Sequence, residues 1–99
     1  MRRGTTPTHI FETDIDLTAA EEIYLTYRQD TCNILELTKD RMEVTPEQIQ
    51  VSLTQAETLM FKANKPVYIQ MRVKFADESA IASDVINTTT QQILKEGLI

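Results

Sequence analysis

VSLTQAETLMFKANKPVYIQMRVKF, Val51 to Phe75, decides the fold. Within it Val67, Ile69, Met71, Val73 and Phe75 alternate with Tyr68, Gln70, Arg72 and Lys74. Apolar positions at strict period 2 mark a strand with one buried and one wet face; a helix would scatter them around its circumference. Upstream, Thr54 and Glu57 stand at capping-box spacing: the hydroxyl accepts from the backbone N–H three residues on, and the carboxylate reaches back. The segment Thr54 to Phe61 is too short to be a stable helix alone. It reads as one or two turns linking two strands, with Leu59, Met60 or Phe61 closing the end of the core. Asn64-Lys65-Pro66 stops it.

Just upstream, Gln48 to Leu53 alternates cleanly, with Ile49, Val51 and Leu53 inward. Thr45-Pro46-Glu47 breaks the chain before it, since Pro cannot donate to a ladder. Downstream, the turn Ala76 to Ser79 leads to a hairpin partner over Ala80 to Thr90. Its inner face has two competing sets, Ile81 with Val85 and Ala82 with Ile86, which a bulge would reconcile. Ile34 to Thr38 is a short strand, Lys39 to Arg41 a polar turn, and Met42 to Val44 a short return strand. Thr18 to Asp30 carries two signals. Thr18 and Glu21 form a capping box, while Ile23, Leu25 and Tyr27 alternate with Tyr24, Thr26 and Arg28. The density of β-branched and aromatic residues favours a strand from about Glu22 to Gln29, with a turn before it. Thr8 to Glu12 is a short β-like segment and Thr13 to Leu17 a loop. Met1 to Pro7 is expected to be a flexible arm, and Gln91 to Ile99 a tail with Ile93 and Leu94 as anchors.

About seven short strands and few helix candidates give an all-β fold. The expected architecture is a two-sheet antiparallel immunoglobulin-like β-sandwich with one short helical turn, about Thr54 to Phe61, in a single domain over 1–99. A crossover carrying a helical turn suits immunoglobulin-like topologies. The Cys…Trp…Cys signature of true immunoglobulin domains is absent.

Composition narrows the function classes. The chain has 99 residues, 41% of them apolar, which fits one packed domain rather than a disordered segment. A net charge of −5 with dispersed Lys and Arg argues against nucleic acid and against anionic membrane surfaces. A single cysteine, Cys32, excludes an intramolecular disulfide and suits folding in a reducing cytoplasm. Met1 to Ile10 has no apolar segment of the signal-peptide kind, and no run approaches a membrane span. Glycine occurs only at Gly4 and Gly97, which excludes Gly-rich phosphate loops.

Side chains with chemistry are sparse. His9 is the only histidine, so neither a His-based triad nor a multi-histidine metal site can form within one chain; it reads as a surface residue on a short strand. Cys32, in the polar context RQDTCN, has no adjacent Lys, second Cys or helix start to activate it, and reads as an inert, partly buried thiol. Glu12, Asp14, Asp16, Glu21 and Glu22 form an acidic cluster without the glycine or ligand schedule of a calcium loop. A solvated loop is its plain reading; a hydrolase using Asp14 and Asp16 is the distant one. No catalytic, cofactor-binding or metal residue is assigned, and no cofactor or small-molecule substrate is expected. The outward row Tyr68, Gln70, Arg72 and Lys74 is the candidate partner-facing surface, because Tyr and Arg are enriched at interface hot spots. Its competitor is an ordinary wet sheet face.

The segments Arg3 to Thr8, Asp16 to Thr18, Ile23 to Tyr27, Val51 to Leu59, Ile69 to Arg72 and Ala82 to Asp84 together carry a likeness spanning nearly the whole chain in order. On these the chain resembles a family of small proteins from prophages and phage-like gene clusters of Gram-positive bacteria. It is similar in style to the β-sandwich modules at the N-termini of phage baseplate upper proteins. The resemblance implies a β-sandwich near tail or baseplate components and brings no catalytic residues. At Asp77-Glu78-Ser79 the family leads one to expect a glycine. The expected function is a non-enzymatic structural or adaptor protein of the tail or baseplate, made in the bacterial cytoplasm without a signal peptide and virion-associated. Its partners would be other phage structural proteins or further copies of itself. The alternative is a small bacterial carbohydrate- or protein-binding module.

Overall fold

The computed structural model describes all residues from Met1 to Ile99. Its strands are β1 (Thr8–Glu12), β2 (Glu22–Gln29), β3 (Cys32–Thr38), β4 (Met42–Val44), β5 (Gln48–Ser52), β6 (Pro66–Lys74), β7 (Ala80–Ala82) and β8 (Ile86–Thr89). A short helix, α1 (Gln55–Thr58), and a 3₁₀ turn at Lys39–Arg41 complete it. The strands form two antiparallel sheets packed as a sandwich. One has the order β1-β5-β4; the other runs β3-β2-β6-β7, with β8 also beside β6.

Alternation places the core as the sequence leads one to expect. Ile23, Leu25 and Tyr27 of β2, Ile49 and Val51 of β5, and Val67, Ile69, Met71 and Val73 of β6 are all buried between the sheets. Their outward neighbours remain solvated. The Thr54 capping box is formed: its hydroxyl accepts from Glu57 N, and the Glu57 carboxylate accepts from Thr54 N. Phe61 plugs the end of the core, edge-on to Tyr27 at 5.9 Å, while Met60 points to solvent. Thr18 starts no helix; its N–H and hydroxyl both bond Asp16 Oδ1.

The hairpin partner of β6 is two strands rather than one. Arg72 pairs with Ala82 and Ile69 with Ile86, so three steps along β6 answer four along its partner. The extra residue falls at Ser83–Val85. Ser83 N–H donates to Met71 O at 2.9 Å, and Ser83 Oγ accepts from Met71 N at 3.0 Å, which holds the bulge in place. As a result Ile81 sits opposite Val73 and Ile86 opposite Ile69. One residue from each competing set therefore faces inward.

Four expectations need correction. Met42–Val44 does not return along β3; it pairs with β5 in the other sheet. The 3₁₀ turn redirects the chain, and Arg41 pins it over β5, donating to both Glu57 carboxylate oxygens and to Ser52 O. Met1 to Pro7 is not a free arm. Arg2 bridges Gln91, the Arg3 guanidinium donates to Phe61 O and Leu59 O, and Thr58 Oγ1 donates to Thr5 O. Backbone carbonyls left open at the end of the sandwich are the attraction, and composition does not reveal them. In the tail, Ile93 lies against Gly4 as an anchor, whereas Leu94 is exposed. Cys32, expected to be partly buried, is exposed beside the β2–β3 turn.

A candidate interaction surface

Tyr68, Gln70, Arg72 and Lys74 lie on the outer face of the larger sheet. Register brings β2 beside them: Arg28 faces Tyr68, Thr26 faces Gln70, and Tyr24 faces Arg72. The six residues form a grid whose four Tyr and Arg corners are related by a local two-fold axis through the Thr26–Gln70 centre. A half turn about that axis exchanges Tyr24 with Tyr68 and Arg28 with Arg72. With Asp30, Asn33 and Glu36 on one side and Val85 on the other, the grid floors a shallow depression of about 890 Å³. Lys74 stands apart, half-buried at the strand end opposite Glu22 and Ala80.

Within the grid, Arg28 Nε donates to Asn33 Oδ1 at 2.8 Å and Gln70 Nε2 donates to Ser83 O at 3.0 Å. Tyr24 donates to Glu22 at 3.3 Å. The negative charge of Glu22 pushes the Tyr24 hydroxyl pKa upward. Asp30 is held below the usual carboxylate range, first by its hydrogen bond and charge contact with Lys65, then by Lys62. Mixed charges and exposed phenol rings on a flat β-face suit recognition of a polar partner by stacking and hydrogen bonding. The contributions of Tyr24, Thr26, Arg28 and Glu36 were visible in their own alternation. What single-strand patterns lack is the register that sets them beside Tyr68 to Arg72.

The other chemistry-bearing residues do not converge. Glu12, Asp14, Asp16, Glu21 and Glu22 are all solvent-exposed. No group of three or more His, Cys, Asp or Glu side chains is arranged to hold a metal ion. His9 is not a plain surface residue: it is half-buried, and its Nδ1 lies 2.7 Å from the hydroxyl of buried Tyr27. Burial first, and then the positive N-terminus, lower the His9 pKa; burial raises that of Tyr27. The pair bonds β1 to β2 across the sandwich, which gives it a structural place. No helix is long and apolar enough to cross a membrane.

The chain matches none of the family models, curated proteins or solved structures with which it was compared.

Proposed function

We propose that the chain is a non-enzymatic structural or adaptor domain of a phage or prophage particle, in its tail or baseplate, that joins its neighbours through the outer face of the larger sheet. The observation behind this is the Tyr24–Arg72 and Tyr68–Arg28 grid, an open β-face carrying the side chains that dominate protein interfaces. The particle context rests on the resemblance described above. The strand order adds support for an immunoglobulin-like topology: β1-β5-β4 and β3-β2-β6-β7 correspond to that fold with its first strand missing and one strand added beside β2. The test is to fractionate particles from the host and follow this protein with wild-type chain or with Tyr68→Ala and Arg72→Ala together. Wild type should co-purify and the double variant should be lost from particles while folding normally. Equal incorporation would refute the use of this face, and absence of wild type from particles would refute the particle role.

A second reading draws on the same depression. Phenol rings at Tyr24 and Tyr68 beside Arg28, Asn33 and Glu36 also suit a carbohydrate- or protein-binding module. Glycan binding by the isolated domain, lost in Tyr68→Ala, would favour it.

A further inference from the structure

The sandwich is open along one flank. The smaller sheet ends at β1 and the larger at β7 and β8, so two strand edges with unpaired backbone groups border the same gap. Between them runs an apolar groove of about 290 Å³, lined by Phe11, Ile15, Leu17, Met71, Ile81 and Ile86 among others. Its volume suits a few aliphatic side chains. Elsewhere the chain carries a second apolar set with nothing to cover it: Leu94, Leu98 and Ile99 are 96%, 65% and 88% exposed. These three with Ile15, Ile81 and Ile86 make six of the ten large apolar residues left exposed, so two features hold most of the unburied apolar surface.

We propose that the segment Gln91–Ile99 of one copy docks as an added strand in the open flank of a second copy. The spacing fits. Ile86 and Ile81 lie opposite Ile69 and Val73, four residues apart on β6, and Leu94 and Leu98 are also four apart. An added strand would repeat every second side chain on the groove side, as paired strands do. Glu96 would then face the groove between the two leucines, where the lining holds polar Thr13 and Ser83 but also Glu12 and Asp14, so the association should strengthen as salt screens these like charges. To dock, the segment lifts Ile93 from Gly4 and releases the Arg3–Glu96 ion pair, the bond from Arg2 to Gln92 O and the two hydrogen bonds between Ile99 and Gln55, a cost the groove contacts must exceed. The chain's own groove is out of place for its own segment. The segment lies against Arg2, Gly4 and Gln55, at the end where β6 begins, while the groove follows β6 away from that end to Val73. The contact is therefore heterologous, segment to groove, and builds reciprocally exchanged pairs, larger rings or open chains.

The test uses two full-length variants and light scattering at high micromolar concentration. One carries Leu94→Ser and Leu98→Ser; the other carries Ile81→Lys and Ile86→Lys, both at exposed positions. Wild type should gain mass with concentration, and each variant should remain monomeric, with association weakened at least about tenfold, the scale of losing one buried aliphatic side chain. Mixed at equal concentration, the two variants should form dimers that grow no further, because only one intact segment and one intact groove remain per pair. Glu43→Ala, on β4 at the edge of the smaller sheet away from the groove, should associate as wild type does. In addition, a peptide of residues 91–99 added to the Leu94→Ser/Leu98→Ser protein should shift the amide signals of Ile81 and Ile86, a readout that stands even where the lysine variant fails to fold. A monomeric wild type, a mixture that stays monomeric from two folded variants, or a peptide that leaves Ile81 and Ile86 unmoved would overturn the proposal.

Discussion

Leu25→Ala and Met71→Ala should both destabilise the domain, but not equally. The two residues face each other across β2 and β6 on the inner side of the larger sheet. Both touch the groove, but Leu25, with β3 on one flank and β6 on the other, keeps only 1% of its surface exposed, whereas Met71 keeps 7%. Truncating a buried Leu or Met removes its transfer free energy and leaves a cavity, together about 2–5 kcal/mol. At Leu25 the walls are fixed by neighbouring strands, so about 3–5 kcal/mol is expected. At Met71 the cavity merges with the groove, which admits solvent and relaxes, so about 2–3 kcal/mol is expected. Gln70→Ala, one residue away, loses only a solvent-exposed hydrogen bond to Ser83 O and should cost about 0.5–1 kcal/mol. Urea denaturation followed by circular dichroism measures all three. With m near 1–1.5 kcal/mol/M, about the low end for a small domain, Met71→Ala should lower the midpoint by roughly 2 M with the slope unchanged. Equal losses at Met71 and Gln70 would mean that both faces of β6 are buried, and the two-sheet sandwich would be wrong.

Further outcomes are expected elsewhere. His9 binds its proton less readily when folded than its ordinary value of 6.5 allows, so the unfolded chain takes up more protons in that window and stability should rise from about pH 5 to 7. His9→Gln should flatten this rise, as measured by urea midpoints at both pH values; an unchanged slope would refute the assignment. Glu78 adopts a left-handed φ of 72°, so Glu78→Gly should stabilise by about 0.5–1 kcal/mol, read as a higher melting temperature. Thr54→Ala removes one half of the capping box and should cost about 1 kcal/mol in urea titration. The Glu57 carboxyl is held below its ordinary value, chiefly by Arg41; its contribution is present above the unfolded-state pKa and lost as pH falls through the folded one. Acid titration of Arg41→Ala should therefore show a shallower stability loss below about pH 4.5 than wild type.

The parts of the fold legible in the sequence are those governed by burial alone. Val67 to Val73, Ile49 to Leu53 and Ile23 to Tyr27 announce their inner faces because a period of 2 is a local property of a strand. What stayed hidden depends on partners distant in sequence. Met42–Val44 alternates the same way in either sheet, and its place beside β5 goes with the turn at Lys39–Arg41 and the bonds of Arg41 to Glu57 and Ser52 O. Ile81 and Ile86 contradict each other until Ser83 supplies the bulge. His9 looked like a surface residue because nothing near it in sequence indicates Tyr27, eighteen positions on. On the candidate surface the outward row of β6 was legible, whereas its pairing with Tyr24 and Arg28 required the β2–β6 register. Leu94, expected as an anchor with Ile93, is exposed for the same reason: two adjacent apolar residues in a tail do not say which one meets Gly4.

The half-turn relation within the Tyr–Arg grid has a consequence for how a bound strand or glycan would lie. The two Tyr and two Arg at the corners read as a palindrome, so they supply grip without direction: a ligand and its reverse meet the same rings and guanidinium groups. Polarity has to come from the unlike Thr26–Gln70 pair and above all from the margins, where Asp30 and Glu36 border one side and Val85 the other. Changes at the centre should therefore alter how tightly a partner is held, and changes at the margins should alter which way round it sits.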